Sequence, residues 1–160
     1  MAKKNKAGVK VLNRNALSKK YHGSGLASNI VIPVEEALWI PSKMLAFNYQ
    51  TGGGLPYGKI MEIYGEESSG KSLMALDLAY CTQQLGGVVL WADAEHAFTP
   101  YWAEQNGIDL TRVELFQETA VEPISDWIAD MSIFWRSQLT NNEPILLIVD
   151  STAALDCLEN

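Results

Sequence analysis

From residue 41 to residue 150 the chain passes repeatedly between stretches whose apolar residues recur at helical spacing and short runs that alternate or are continuously apolar. Residues 41–49 predict a short helix, closed by Gly52, Gly53 and Gly54, and Pro56-Tyr57-Gly58 predicts a turn. Residues 59–64 alternate apolar with polar side chains and include β-branched ones, the signature of a strand, which Gly65 breaks. From Gly70 onward Leu73, Leu76, Leu78 and Cys81 return as on one face of a helix, and Gly86 and Gly87 stop it. Residues 88–91 are apolar without interruption, as expected of a parallel strand covered on both faces. A weaker helix follows Pro100, and a strand is predicted over residues 113–117. The clearest helix has Pro123 in its first turn and carries Ile124, Trp127, Ile128, Met131, Phe134 and Trp135 on one stripe. Ile145, Leu146, Leu147, Ile148 and Val149 make a second buried strand, ending at Asp150. Strands alternating with helices predict an α/β fold, a mostly parallel sheet with helices on both faces, because right-handed crossovers carry each helix over the sheet.

Charge divides the chain differently. Residues 1–34 contain seven Lys or Arg and no Asp or Glu, which leaves five basic residues against all 19 acids in the remainder, a net of −14. Val9, Leu12, Ala16 and Leu17 stand near helical spacing among the lysines, and residues 30–34 suit a short strand that Pro33 confines to an edge. The expected organisation is therefore a basic arm over residues 1–34, with a solvated tail as its plainer reading, and an α/β core over residues 35–160. An acidic core does not attract DNA by its bulk charge, because phosphate binding needs a basic surface. Any nucleic-acid contact must then come from the arm, a local loop or residues outside this chain.

Length and composition add only exclusions. With 160 residues, 48% of them hydrophobic, one compact domain is expected. No apolar run reaches the roughly eighteen residues that cross a bilayer, and the basic start lacks the apolar centre of a signal peptide. No membrane partner and a cytoplasmic location follow as expectations. Cys81 and Cys157 are far apart, with no cysteine or histidine at metal-ligand spacing, so thiols are expected there and neither zinc nor a disulfide framework.

Gly65-Glu66-Glu67-Ser68-Ser69-Gly70-Lys71-Ser72 fits the phosphate-binding loop pattern of glycine, four residues, then Gly-Lys-Ser/Thr. Glycines let the backbone curl so that successive N–H groups point inward at a phosphate, while the next helix offers its positive end. Lys71 would reach the β and γ phosphates of ATP, and the Ser72 hydroxyl would ligate Mg²⁺. The motif falls between a predicted strand and a predicted helix, which a plain glycine-rich turn would not require.

Two acids end other predicted strands. Asp150, followed by Ser151 and Thr152, belongs on the same edge of the sheet as the loop, where it could hold Mg²⁺ through water or simply cap the next helix. Asp93-Ala94-Glu95-His96 follows the strand at residues 88–91. Hydrolysis of ATP needs a group that orients or deprotonates the attacking water, and Glu95 is the candidate. His96 is read as a hydrogen-bonded structural residue.

The run from Gly52 through Pro56-Tyr57-Gly58 to Ser72 resembles the segment that leads into and through the phosphate loop of RecA-family DNA recombinases. Asp93-Ala94-Glu95-His96-Ala97, Pro100 and Asp150-Ser151-Thr152-Ala153-Ala154-Leu155 match that family in order and approximate spacing. The resemblance covers residues 40–155 and implies a P-loop NTPase core of RecA type, cut short at its carboxyl-terminal side. It implies an ATP- and Mg²⁺-dependent recombinase that forms a homo-oligomeric filament on single-stranded DNA and exchanges strands in recombination and repair. It casts Lys71 and Ser72 as phosphate and Mg²⁺ contacts, Asp150 as the metal-side carboxylate and Glu95 as the water-activating base.

Departures from the family pattern are local. Trp102 falls where the family commonly has a tyrosine stacked on adenine, and Thr99 replaces an aspartate near the same base. Glu66 stands where proline is usual, and Leu73 replaces a second hydroxyl residue. These changes resemble a divergent, phage-borne relative, which would work in the host cytoplasm. In the family the DNA-binding loops and the γ-phosphate-sensing glutamine lie beyond the stretch matched here, so a fragment or interrupted product is expected. The family's arm packs on the next protomer, which reads residues 1–34 as a polymerisation element. Two alternatives stay open: a helicase or a RadA-like or KaiC-like ATPase on the same core, and a nucleotide-binding module that caps or regulates a recombinase filament.

Overall fold

The structure, a computed structural model, describes residues 38–140 and 142–157. The arm expected over residues 1–34, with its amphipathic helix and edge strand, lies outside the described residues. The first pairing is a short antiparallel ladder of β1 (Trp39–Ile40) with β2 (Leu55–Pro56), in register Trp39 to Pro56 and Ile40 to Leu55. Between them runs α1 (Leu45–Thr51), starting later than the sequence pattern suggests and ended by Gly52 in the left-handed conformation, whose N–H bonds the Asn48 carbonyl. The return to β2 passes Gly54, at φ +125°, where a Cβ would lie 2.1 Å from the Ile40 carbonyl oxygen. Only glycine fits that crossing.

Three longer strands form a parallel sheet in the order β4 (Val113–Phe116), β3 (Val88–Asp93), β5 (Ile145–Asp150). The central strand β3 is buried along its whole length, which is why its sequence is continuously apolar until Asp93. Helix α2 (Lys71–Gln84) enters β3 through Gly86 and Gly87; α3 (Pro100–Gln105) and a 3₁₀ turn (Leu110–Arg112) lead to β4; and α4 (Val121–Gln138) leads back across β3 to β5. The two crossovers run in opposite directions, so right-handed connections put α3 and α4 on opposite faces.

Register shows both faces packed. Val89 and Trp91, with Leu146 and Ile148 beside them on β5, share one core with Met74, Leu76, Leu78 and Cys81 of α2 and Ala103 of α3. On the other face Phe116 stacks on Trp127 of α4 at 5.2 Å, and Trp135 donates from Nε1 to Glu114 Oε1 at 3.2 Å. Most of the α4 stripe read from the sequence faces the sheet, with Ile124 buried and Trp127, Ile128, Met131 and Trp135 half-buried, but Phe134 is 49% exposed and stands off that face. Leu73 is an exception on α2: it is 50% exposed, one turn into the helix and off the buried face.

The strand expected at residues 59–64 is absent: no residue there pairs with a neighbour, and Ile60 and Tyr64 are 100% and 88% exposed. Alternation describes a segment suited to a sheet, but a strand exists only where a second strand supplies its ladder. Among the described residues β5 bonds to β3 alone, and no strand pairs with its outer edge. Val113 to Phe116 is likewise one residue shorter than expected, leaving Gln117 just beyond β4.

Candidate nucleotide-binding site

The phosphate-loop motif is an exposed turn running into α2. Gly70 is the N-cap residue at φ +93°, a left-handed conformation that glycine adopts without cost, and Met74 N–H closes the first helical bond onto the Gly70 carbonyl at 3.0 Å, so the amides before it have no intrahelical acceptor. Within the loop Ser69 N–H donates to the Glu66 carbonyl at 3.3 Å. The Lys71 ammonium folds back over it, donating to the carbonyls of Gly65 at 3.2 Å and Glu66 at 2.9 Å. The side chains of Glu66, Glu67, Ser68 and Ser69 are exposed, so the loop's binding capacity lies in its backbone and in Lys71.

Ser72 takes the next position. Its hydroxyl donates to Asp150 Oδ2 at 2.9 Å, joining the start of α2 to the end of β5. Asp150 is in register with Asp93 at the carboxyl end of β3, so two acids finish adjacent strands on the edge facing the loop. The backbone ties the strands together further: Ala94 and Glu95 N–H both donate to the Asp150 carbonyl, at 2.9 and 3.3 Å. Glu95 is exposed and accepts a short hydrogen bond on Oε1 from the Ser151 hydroxyl. The peptide between Asp150 and Ser151 is cis.

A cleft opens beside this edge, lined by Ser72, Asp150, Leu76, Trp91, Phe98, Thr99 and Trp102. The residues read from the sequence as metal contacts and as base contacts therefore share one cleft. Trp102 is 44% exposed and Thr99 is the N-cap of α3, where its hydroxyl reaches the Ala97 carbonyl only at 3.4 Å. Trp91 stands edge-on to Phe98 at 5.0 Å, and its buried Nε1 has no acceptor among the described residues. Nearby, Glu118 accepts from the N–H groups of Thr119 and Ala120, which, with a smaller contribution from His96, holds its carboxyl below the ordinary range.

Three further residues complete the site: Ser151 and Gln117, which have no role in the sequence reading, and Asp93, which the sequence offers only as a support behind Glu95. Ser151 belongs to the strand-ending motif, and its hydroxyl is the partner of Glu95. Asp93 is fully buried and accepts three hydrogen bonds, one of them from Gln117 at 2.9 Å. The signal for Ser151 lies in the strand register, which no single sequence displays. The signal for Asp93 was available, since an acid continuing a fully apolar strand must be buried and paired.

A family model described as the RecA N-terminal domain matches residues 19–159. This chain belongs to the RecA family. Protein RecA of Thermotoga maritima is 40% identical over 130 residues, 78% of this chain and 33% of that protein. Protein RecA of Bifidobacterium breve is 41% identical over 124 residues, 77% of this chain and 30% of its own length. Protein RecA of Synechocystis sp. is 37% identical over 120 residues, 72% of the chain and 31% of the relative. The chain thus spans about a third of the length of these RecA relatives. Its α/β core with a parallel three-stranded sheet and helices on both faces is consistent with a RecA-like core. No helix among the described residues is long and apolar enough to cross a membrane.

Proposed function

We propose that this chain binds ATP with Mg²⁺ and forms the nucleotide-hydrolysing part of a RecA-type recombinase. The observation that carries the reading is the 2.9 Å bond from Ser72 to Asp150, which brings the phosphate-loop helix and a strand-ending acid together. The donor set suits the ligand: helix-start amides without intrahelical acceptors and an ammonium for a polyphosphate, and a hydroxyl next to a carboxylate for a hard cation. Ser72 and Asp150 would hold Mg²⁺, which supplies charge neutralisation at the phosphates when bound. Lys71 exchanges its two loop carbonyls for phosphate oxygens, gaining charged acceptors in place of neutral ones. Glu95 stands on the neighbouring strand end, and its carboxylate, oriented by Ser151, accepts the proton of the attacking water. Trp102 and Thr99 border the base. The whole assembly is a filament of such subunits on single-stranded DNA, exchanging strands in recombination and repair in the cytoplasm. DNA contacts are assigned to the basic residues 1–34 and to parts of the protein beyond this stretch, because the core is acidic.

The deciding experiment is titration of the chain with a fluorescent ATP analogue, with and without Mg²⁺, followed by phosphate release in the presence of single-stranded DNA. Saturable, Mg²⁺-dependent binding that Lys71→Ala removes supports the reading. Binding that is indifferent to both Mg²⁺ and Lys71 would end it.

A further inference from the structure

Resting on the nucleotide-site reading above, we infer that Asp93 is a positioning residue, locked by Gln117, that holds the loop carrying Glu95 in its working conformation. Asp93 is 0% exposed, and a carboxylate withdrawn from water is tolerated only where hydrogen bonds replace the solvent. Its oxygens are served from two directions. Oδ1 accepts from Ala97 N–H at 3.0 Å; Oδ2 accepts from Phe98 N–H at 3.0 Å and from the Gln117 side-chain amide at 2.9 Å. The carboxylate thus reaches forward along its own chain and bends residues 94–98 into a closed loop.

That loop is the one that matters for chemistry. Glu95 stands on it, exposed, and Phe98 lies at its far end as part of the cleft wall. His96 within it is held at φ +54°, a conformation that a non-glycine residue keeps only when its surroundings impose it. Its N–H returns to the Asp93 carbonyl at 3.4 Å, and the Glu95 N–H is tied to Asp150 on the next strand. Glu95 therefore has little backbone freedom of its own: its place is set by Asp93 behind it and Asp150 beside it. Two backbone amides would suffice to cap a turn. The third donor comes from Gln117, an exposed residue just past β4, so the clamp ties the Glu95 loop to all three strand ends of the sheet.

The test uses Gln117→Leu, which keeps a side chain of similar bulk and removes its amide, together with Asp93→Asn, Glu95→Gln and the double variant Gln117→Leu/Glu95→Gln. Without nucleotide, Gln117→Leu is expected to speed hydrogen exchange at the Ala97 and Phe98 amides by about tenfold, the scale of one bond to a charged acceptor. With ATP and single-stranded DNA, kcat is expected to fall by about tenfold while nucleotide affinity stays within about threefold, and the substitution adds nothing once Glu95 is Gln. Asp93→Asn, which sets an amide donor against a backbone N–H that the carboxylate accepts from, is expected to speed exchange and lower kcat further, again with nucleotide affinity within about threefold. Unchanged exchange would overturn the clamp. Faster exchange with normal kcat, an equal fall in the Glu95→Gln background, or a milder effect from Asp93→Asn would overturn the positioning role. A parent chain that binds no nucleotide or shows no turnover overturns the site reading itself and this role with it, and is told apart by the parent's own behaviour.

Discussion

Ser72 and Asp150, 78 positions apart in the chain, are joined by a single 2.9 Å hydrogen bond between the first turn of α2 and the last residue of β5. A hydroxyl and a carboxylate at this distance already satisfy each other, so a cation entering here replaces one partnership with another and does not relieve an isolated charge. Asp150→Asn keeps the shape and the Ser72 contact but removes the negative charge. The expected result is a rise of about 10–100-fold in the Mg²⁺ concentration needed for half-maximal ATP binding, the range found when groups supporting a metal are altered. Binding measured across a Mg²⁺ series checks it, with unchanged dependence excluding Asp150 as the metal-side acid.

Lys71 spends its ammonium on two carbonyls of its own loop, those of Gly65 and Glu66. Its loss should therefore matter little to the empty fold and much to the loaded one. Lys71→Ala is expected to weaken ATP binding by about tenfold or more, since bonds to charged groups contribute about 1.5–3 kcal/mol each. The melting temperature without nucleotide should barely move. Calorimetric titration beside a thermal melt separates the two; equal damage to both would mean that the lysine serves only the loop.

Glu95 presents an exposed carboxylate whose orientation comes from Ser151. Glu95→Gln preserves size and one acceptor oxygen but cannot take a proton from water. ATP affinity should persist while turnover falls by about 10² or more, the scale of general-base loss. Single-turnover phosphate release reads this directly, and a rate near that of the parent would remove Glu95 from the role.

Which parts of this could be read from residues alone follows from how local each feature is. The α2 helix and the β3 strand carry their burial in their own pattern, because α2 packs one face on the sheet and β3 is covered along its whole length. By contrast β5, equally apolar in sequence, is buried only at Leu146 and leaves Leu147 exposed, since among the described residues no strand pairs with its outer side. The phosphate loop was legible because its function lies in consecutive amides and one adjacent ammonium. Residues 59–64 have the right alternation but no ladder partner, so pattern predicted a strand that pairing did not supply. The Ser151 contact to Glu95 and the Gln117 contact to Asp93 link strand ends 56 and 24 positions apart, and only the β4-β3-β5 order makes them neighbours.

Gly54 makes the antiparallel pairing of β1 with β2 possible. At φ +125° its backbone passes so close to Ile40 that an added Cβ would sit 2.1 Å from the carbonyl oxygen. Gly54→Ala has to move the strand as well as adopt a disfavoured conformation, which alone costs about 1–3 kcal/mol. A fall of several degrees in melting temperature is expected, with the Ile40 and Leu55 packing lost first. An alanine variant that melts with the parent would mean that the β1–β2 ladder contributes nothing to stability.

Acid sensitivity should trace partly to Glu143. Its carboxylate accepts from Thr140 N–H at 2.7 Å, and that bond, with Arg112 and Arg136 nearby, holds its carboxyl below the ordinary value of 4.5. A group whose folded value is depressed binds fewer protons folded than unfolded, so its contribution is fully present above about pH 4.5 and is lost as the pH falls through the lower folded value. Glu143→Gln removes that dependence. Near neutrality the variant should be somewhat less stable than the parent, because the amide oxygen is a weaker acceptor for Thr140. Below pH 4.5 the gap should narrow as the parent's carboxyl takes up its proton. Melting curves at half-unit steps from pH 7 to pH 3 read both arms, and two curves that stay parallel throughout would place the acid sensitivity at other carboxylates.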